Sequence, residues 1–164
     1  MKITAQEEYG LRCLLAIARA TGIITISEIA AAEALSPAYV ARLLTHLRRA
    51  GLVRSSRGAA GGHVLARPAG EIDLAAALDA LGPPLYWTAF CARHAGARAE
   101  CVHLPDCSIR SIWRGVESAI RTALSRVKLA DLLESEELLQ VRAPLRAQGT
   151  DWGATPRTEG GARS

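Results

Sequence analysis

The fold turns on residues 36–66, SPAYVARLLTHLRRAGLVRSSRGAAGGHVLA. Ser36 followed by Pro37 is a helix cap with proline at the first helical position. Val40, Leu43, Leu44 and Leu47 then repeat at helical spacing and form one apolar stripe, which Gly51 closes. After Gly51 the period becomes that of a strand. Leu52–Ser55 and His63–Ala66 read as two short strands. The Gly- and Ser-rich stretch between them carries turn chemistry, so the pair predicts a β-hairpin. Residues 36–67 also hold six arginines (42, 48, 49, 54, 57 and 67) and no acidic residue.

Upstream, Thr4-Ala5-Gln6-Glu7 is a capping box: the Thr hydroxyl can reach the N3 amide while Glu7 reaches back. Tyr9, Cys13, Leu14 and Ile17 keep helical spacing until Gly22. A second capping box, Thr25-Ile26-Ser27-Glu28, opens an alanine-rich helix to about Ala34. Downstream, Asp73 caps a helix to about Leu81, where Gly82-Pro83-Pro84 stops it. Residues 85–107 show no sustained period, and a loop that long needs something to organise it. Ser108 starts the longest helix, whose stripe of Ile109, Ile112, Trp113, Val116, Ile120, Ala123 and Val127 predicts a contact with a second chain. The simpler alternative is that this helix covers the N-terminal half. From Arg142 the chain is rich in Gly, Pro, Arg and Thr and is expected to be disordered.

The expected fold is therefore mainly α with a small β-hairpin wing: a winged helix-turn-helix plus a long C-terminal dimerisation helix. The expected divisions are 1–81 for the winged unit, 82–107 for a cysteine loop, 108–133 for the dimerisation helix and a short helix after it, and 134–164 for a tail.

Composition bounds the class. The 164 residues include 31 alanines and only seven aromatics, so a single chain has few bulky groups for a core and gains from a partner. No apolar stretch approaches the 18 or more residues of a membrane span. Glu7 and Glu8 stand where a signal peptide would be basic. The reading is a cytoplasmic protein with no membrane partner, in which clustered thiols point to a metal, a cluster or a redox switch rather than structural disulfides.

The net charge of +4 is unevenly placed: residues 1–35 carry three basic and four acidic groups, against six arginines in 36–67. Double-stranded DNA is the partner such a face fits, through phosphate neutralisation and counterion release. In a winged helix the segment Ser36–Arg49 would lie in the major groove. Its apolar stripe faces inward, leaving Ser36, Pro37, Ala38, Tyr39 and Arg42 near the exposed N-terminal end. Arg42 suits a guanine edge or a phosphate. Arg49 suits a phosphate, and Arg57, at the hairpin tip with Gly58, Gly61 and Gly62, suits a minor groove. A solvated basic helix, and arginine favoured by genome composition, are the plainer readings.

The cysteines follow the spacing Cys91-x9-Cys101-x5-Cys107, without the close pairs usual in structural zinc sites. Zinc on these three with His94 or His103 stays open, as does a thiol switch. Three thiolates lacking a close pair also suit an iron–sulfur cluster with a fourth ligand from elsewhere. Cys13 falls on an apolar helix face and reads as packing.

Several motifs fall in one order: Met1-Lys2-Ile3-Thr4, Glu8-Tyr9-Gly10-Leu11-Arg12, Ser36-Pro37-Ala38-Tyr39-Val40-Ala41-Arg42-Leu43 and the hairpin Gly51–His63. The three cysteines, Ile112-Trp113 and Leu129-Ala130-Asp131-Leu132-Leu133 follow. Over residues 1–133 the chain resembles the iron–sulfur winged-helix repressors, the IscR and NsrR group. The resemblance implies a homodimeric repressor whose cluster, 2Fe–2S or 4Fe–4S, sits beside the first helix of the other subunit and reports redox state, nitric oxide or iron status. It matches Cys91, Cys101 and Cys107 to the family's cysteines, though the first gap is longer than usual. The IscR-type histidine position is Arg110 here. The NsrR-type aspartate position is Glu8, which the resemblance makes the fourth ligand. A histidine used by a related type is replaced by Arg12. The plain reading of Glu8 is a carboxylate favoured by the helix dipole and able to pair with Arg12.

Two other classes compete: a cluster carrier that binds proteins, and an enzyme. The glycine-rich hairpin lacks the Gly-Lys-Ser/Thr ending of a phosphate loop and joins strands. No Gly-x-Ser-x-Gly or His-Glu-x-x-His occurs, so no enzyme is expected.

Overall fold

The computed structural model describes residues 3–56, 61–84, 90–103 and 106–134. The chain runs α1 (Ala5–Arg19), α2 (Ile26–Glu33), α3 (Pro37–Arg49), β1 (Val53–Ser56), β2 (Gly62–Leu65), α4 (Leu74–Leu81), α5 (Phe90–Arg93) and α6 (Ser108–Ser125). Short 3₁₀ turns occupy Ala69–Glu71 and Asp131–Leu133. The expected mainly helical winged fold is observed. Of the expected tail at 134–164, residues 135–164 lie outside the described residues, as does the hairpin tip at 57–60.

Both capping boxes form. Glu7 N donates to Thr4 Oγ1 at 3.2 Å while Thr4 N donates to Glu7 Oε2 at 2.7 Å. Thr25 and Glu28 repeat the arrangement at 3.2 and 2.8 Å. Such a cap is worth about 1 kcal/mol. α2 stops at Ala34, which takes a left-handed conformation (φ 53°) and so turns the chain into α3. Asp73 Oδ1 accepts from Ala76 N at 2.8 Å and starts α4.

One core joins these elements. Cys13, Leu14, Ile29, Val40, Leu43, Leu47, Leu52, Ile72, Leu81 and Leu129 are all buried within it. The α3 stripe of Val40, Leu43, Leu44 and Leu47 faces inward as its spacing required. Each such aliphatic side chain stabilises the fold by about 1.5–3 kcal/mol through burial.

The wing is antiparallel, with Val53 opposite Leu65 and Ser56 opposite Gly62. It is docked to the α1–α2 connection by two backbone bonds: His63 N donates to Ile24 O at 2.8 Å, and Ile24 N donates to His63 O at 3.1 Å. After α6 the chain returns to the winged unit. Leu74 N donates to Val127 O at 2.9 Å, and Leu129 N donates to Ile72 O at 2.8 Å.

The α6 stripe divides in two. Its C-terminal part rests on α4, where Arg121 forms a bidentate pair with Asp79 at 2.6 and 2.8 Å. Val127 falls beyond the end of the helix and is buried. Ile109, Ile112, Trp113 and Val116 remain 66, 65, 41 and 37% exposed. Covering the N-terminal half of the same chain therefore does not account for the stripe.

Candidate functional site

α3 presents the predicted face. Ser36, Pro37, Ala38, Arg42 and Arg49 are exposed, and Tyr39 is half-buried. Ser36 has a structural duty as well, since its Oγ accepts from Tyr39 N at 3.3 Å. The Arg42 guanidinium lies 4.9 Å above the Tyr39 ring. Gly61 and Gly62 are half-buried at the loop end of β2. A Cβ on Gly62 would meet the Ile24 carbonyl oxygen at 2.6 Å, so close backbone approach demands glycine there. Arg57 and Gly58 lie outside the described residues.

His63 follows Gly62 in β2, opposite Ser55. Its Nδ1 is buried and without a hydrogen-bond partner among the described residues. Burial, aided by nearby Arg48, pushes the imidazole below its ordinary 6.5.

The cysteines separate into two kinds. Cys13 is fully buried in the core, and burial pushes its thiol up to about 11, with Glu33 adding to the effect. It stays protonated and plays the packing role expected of it. Cys91, Cys101 and Cys107 are half-buried: Cys91 in α5, Cys101 in the loop, Cys107 at the N-cap of α6. Cys107 Sγ accepts from Arg110 N at 3.4 Å and so caps the start of α6. Among the described residues no three His, Cys, Asp or Glu side chains gather as a metal requires. One chain thus supplies the donor types of the predicted set without assembling them.

Glu8 is exposed in the first turn of α1. Arg12, the partner its plain reading offered, is instead paired with Glu33 at 2.8 Å. Glu8 lines an apolar groove of about 530 Å³ between α1, α4 and α6, floored by Leu11, Leu78 and Leu124. Glu7, Asp79 and Glu117 line the groove as well, and so does Arg121, which pairs with Asp79 at 2.6 Å and Glu117 at 3.9 Å. The groove escaped the sequence reading because it needs three helices from distant parts of the chain. The contact between Tyr9 and Tyr39 escaped it for the same reason.

A capped helix bearing arginines, packed beside an antiparallel wing, defines a winged helix-turn-helix regulator that binds DNA. The chain belongs to the Rrf2 family, described as iron-dependent transcriptional regulator, whose pattern matches residues 3–135. A Mycobacterium tuberculosis (strain ATCC 25618 / H37Rv) protein named as an HTH-type transcriptional regulator is 31% identical over 153 residues, covering 90% of this chain and 92% of its own. The structure of T. potens IscR is similar with a TM-score of 0.64 at 28% identity, over 91% of this chain and 94% of that one. CymR, the global cysteine regulator of B. subtilis, is similar with a TM-score of 0.61 at 28% identity, over 81% and 96%. These relatives are named as regulators, not enzymes, and the expected resemblance to the IscR group is borne out. No helix among the described residues is long and apolar enough to cross a membrane.

Proposed function

We infer that this chain is a homodimeric transcriptional repressor whose hold on DNA is set by an iron–sulfur cluster. The observation that carries the reading is the division of labour within one short chain: an arginine face on α3 and the wing, and three half-buried cysteines between α4 and α6.

The dimer reading rests on complementarity. The exposed stripe of Ile109, Ile112, Trp113 and Val116 is flanked by arginine at 114, and the groove beside Glu8 is apolar and lined by four carboxylates against one arginine, Arg121. A second copy offering the start of its α6 to that groove would bring its Cys107 toward Glu8. The donor set then has three thiols and one carboxylate, which suits iron. Cys91, Cys101 and Cys107 would hold the cluster, with Glu8 of the partner subunit as the fourth ligand. A carboxylate is a harder, more exchangeable ligand than thiolate, so a cluster held by Cys91, Cys101, Cys107 and the partner's Glu8 would supply iron that can react with nitric oxide or oxygen or be lost.

The rest of the mechanism belongs to the chain. Ser36 and Pro37 fix the start of α3, and Tyr39 and the core stripe fix its rotation. Arg42 is thereby held toward a base edge or phosphate, and Arg49 toward the backbone of the duplex. The bonds between Ile24 and His63 set the wing against α1, so a shift of α1 in the dimer moves wing and recognition helix together. Coupling between two such sites is typically about 1–3 kcal/mol.

A second reading is favoured by the separation of the thiols within one chain: a regulator switched by cysteine oxidation, as the likeness to a cysteine regulator suggests. Anaerobic purification followed by iron and sulfide assay tests both. The cluster reading expects a coloured protein with both elements, lost in Cys101→Ser. A colourless protein whose duplex binding responds to thiol oxidation supports the second reading, and one that holds zinc supports a zinc site.

A further inference from the structure

The rings of Tyr9 and Tyr39 meet edge to face, with centroids 6.0 Å apart and planes at 82°. Arg42 stacks on the far ring at 4.9 Å, and Arg12 stacks on the near one at 5.4 Å. Arg12 is held in turn by the Glu33 side chain at 2.8 Å and the Glu33 carbonyl oxygen at 3.3 Å. The run Glu33, Arg12, Tyr9, Tyr39, Arg42 therefore crosses from α2 through α1 to α3. Both tyrosines are half-buried and pack against the core, whereas Arg42 is exposed.

An exposed arginine has many rotamers, and fixing it on DNA costs that freedom. A carboxylate partner would order it but would occupy its donors. Residues 36–67 contain no acidic residue, so nothing local offers that alternative. A ring face orders the guanidinium while leaving its five in-plane N–H donors pointing outward.

We propose that Tyr39 is a positioning residue for DNA recognition: its ring face pre-orders the Arg42 guanidinium, and Tyr9 fixes the tilt of that ring. This rests on the reading of Arg42 as a DNA contact. It assigns the aromatic ring, rather than the phenol hydroxyl, as the part of Tyr39 that matters.

The test is a double-mutant cycle on the full chain, prepared anaerobically. The probe is a duplex enriched by the parent protein from a random-sequence pool, with affinity read by anisotropy at one salt concentration. Arg42→Ala is expected to weaken binding about ten-fold, as loss of one good base or phosphate contact does. Tyr39→Leu keeps the apolar volume and is expected to cost about three- to five-fold, the worth of ordering and stacking one arginine. Added to Arg42→Ala, it should cost almost nothing further. Tyr39→Phe keeps the ring and should recover most of the affinity that Tyr39→Leu loses. Additive losses would overturn the proposal, as would a Tyr39→Phe loss equal to that of Tyr39→Leu. Parental binding by Arg42→Ala would instead remove the reading of Arg42, and the proposal with it. If circular dichroism shows Tyr39→Leu to be unfolded, Tyr9→Leu takes its place. The expected result is then a smaller loss that again vanishes without Arg42, and an additive loss again overturns the claim.

Discussion

Gly62 and His63 sit side by side where the wing touches the α1–α2 connection. Replacing Gly62 with alanine drives a Cβ against the Ile24 carbonyl, and backbone cannot step aside cheaply. Gly62→Ala should therefore destabilise the fold by about 1–3 kcal/mol. Urea unfolding reads this, and an unchanged midpoint would contradict it. The sequence marks Gly62 as turn chemistry, because a close approach to a residue far along the chain leaves no local signature. His63 adds a pH dependence. Its folded-state pKa is lowered from 6.5, so on acidification the unfolded chain takes up the proton first. Stability should be full above about pH 6.5, fall below it, and level off once the lowered pKa is passed. His63→Phe should flatten that part of the profile, and a profile identical to the parent's would assign the effect elsewhere.

The elements were legible wherever a local signal was complete. Asp73 and Gly82 bracket α4 at Leu74–Leu81 as predicted, because cap and stop both lie in the sequence. The α3 stripe points inward for the same reason. The strands fall at Val53–Ser56 and Gly62–Leu65, one residue later and one earlier than expected. Leu52 is taken by its own backbone bond to Leu47 O at 3.0 Å, a helix-end contact that period alone does not reveal. α1 stops at Arg19, short of Gly22, with Ala20 already extended. α5 was missed, since four residues carry no period. For α6 the stripe was legible but its division was not, because only packing on α4 decides which part is covered. Its exposed end makes a sharp prediction. Ile112→Glu should convert the protein to a folded monomer, with sedimentation showing the halved mass and circular dichroism an intact helix content. A stable dimer would place the interface elsewhere.

At the scale of the molecule, charge and cysteine content spoke early. A modest +4 conceals six arginines on the α3–wing segment, and three of four cysteines fall outside the core. Spacing pointed to no fourth ligand, since a site shared by two chains, as proposed, would leave no pattern in one of them. Glu8 came only from resemblance, and its place in the groove lining gives that assignment a physical setting. The same logic predicts that Glu8→Ala leaves the fold and the dimer intact but loosens iron, seen as faster loss of visible absorbance under a chelator. Equal rates would return Glu8 to a plain helix-dipole role. The most direct measurement of the whole account is anaerobic native mass spectrometry of the full chain. It should show two chains together, carrying the added mass of iron and sulfide. A bare monomer, or a dimer with neither iron nor sulfide, would contradict it.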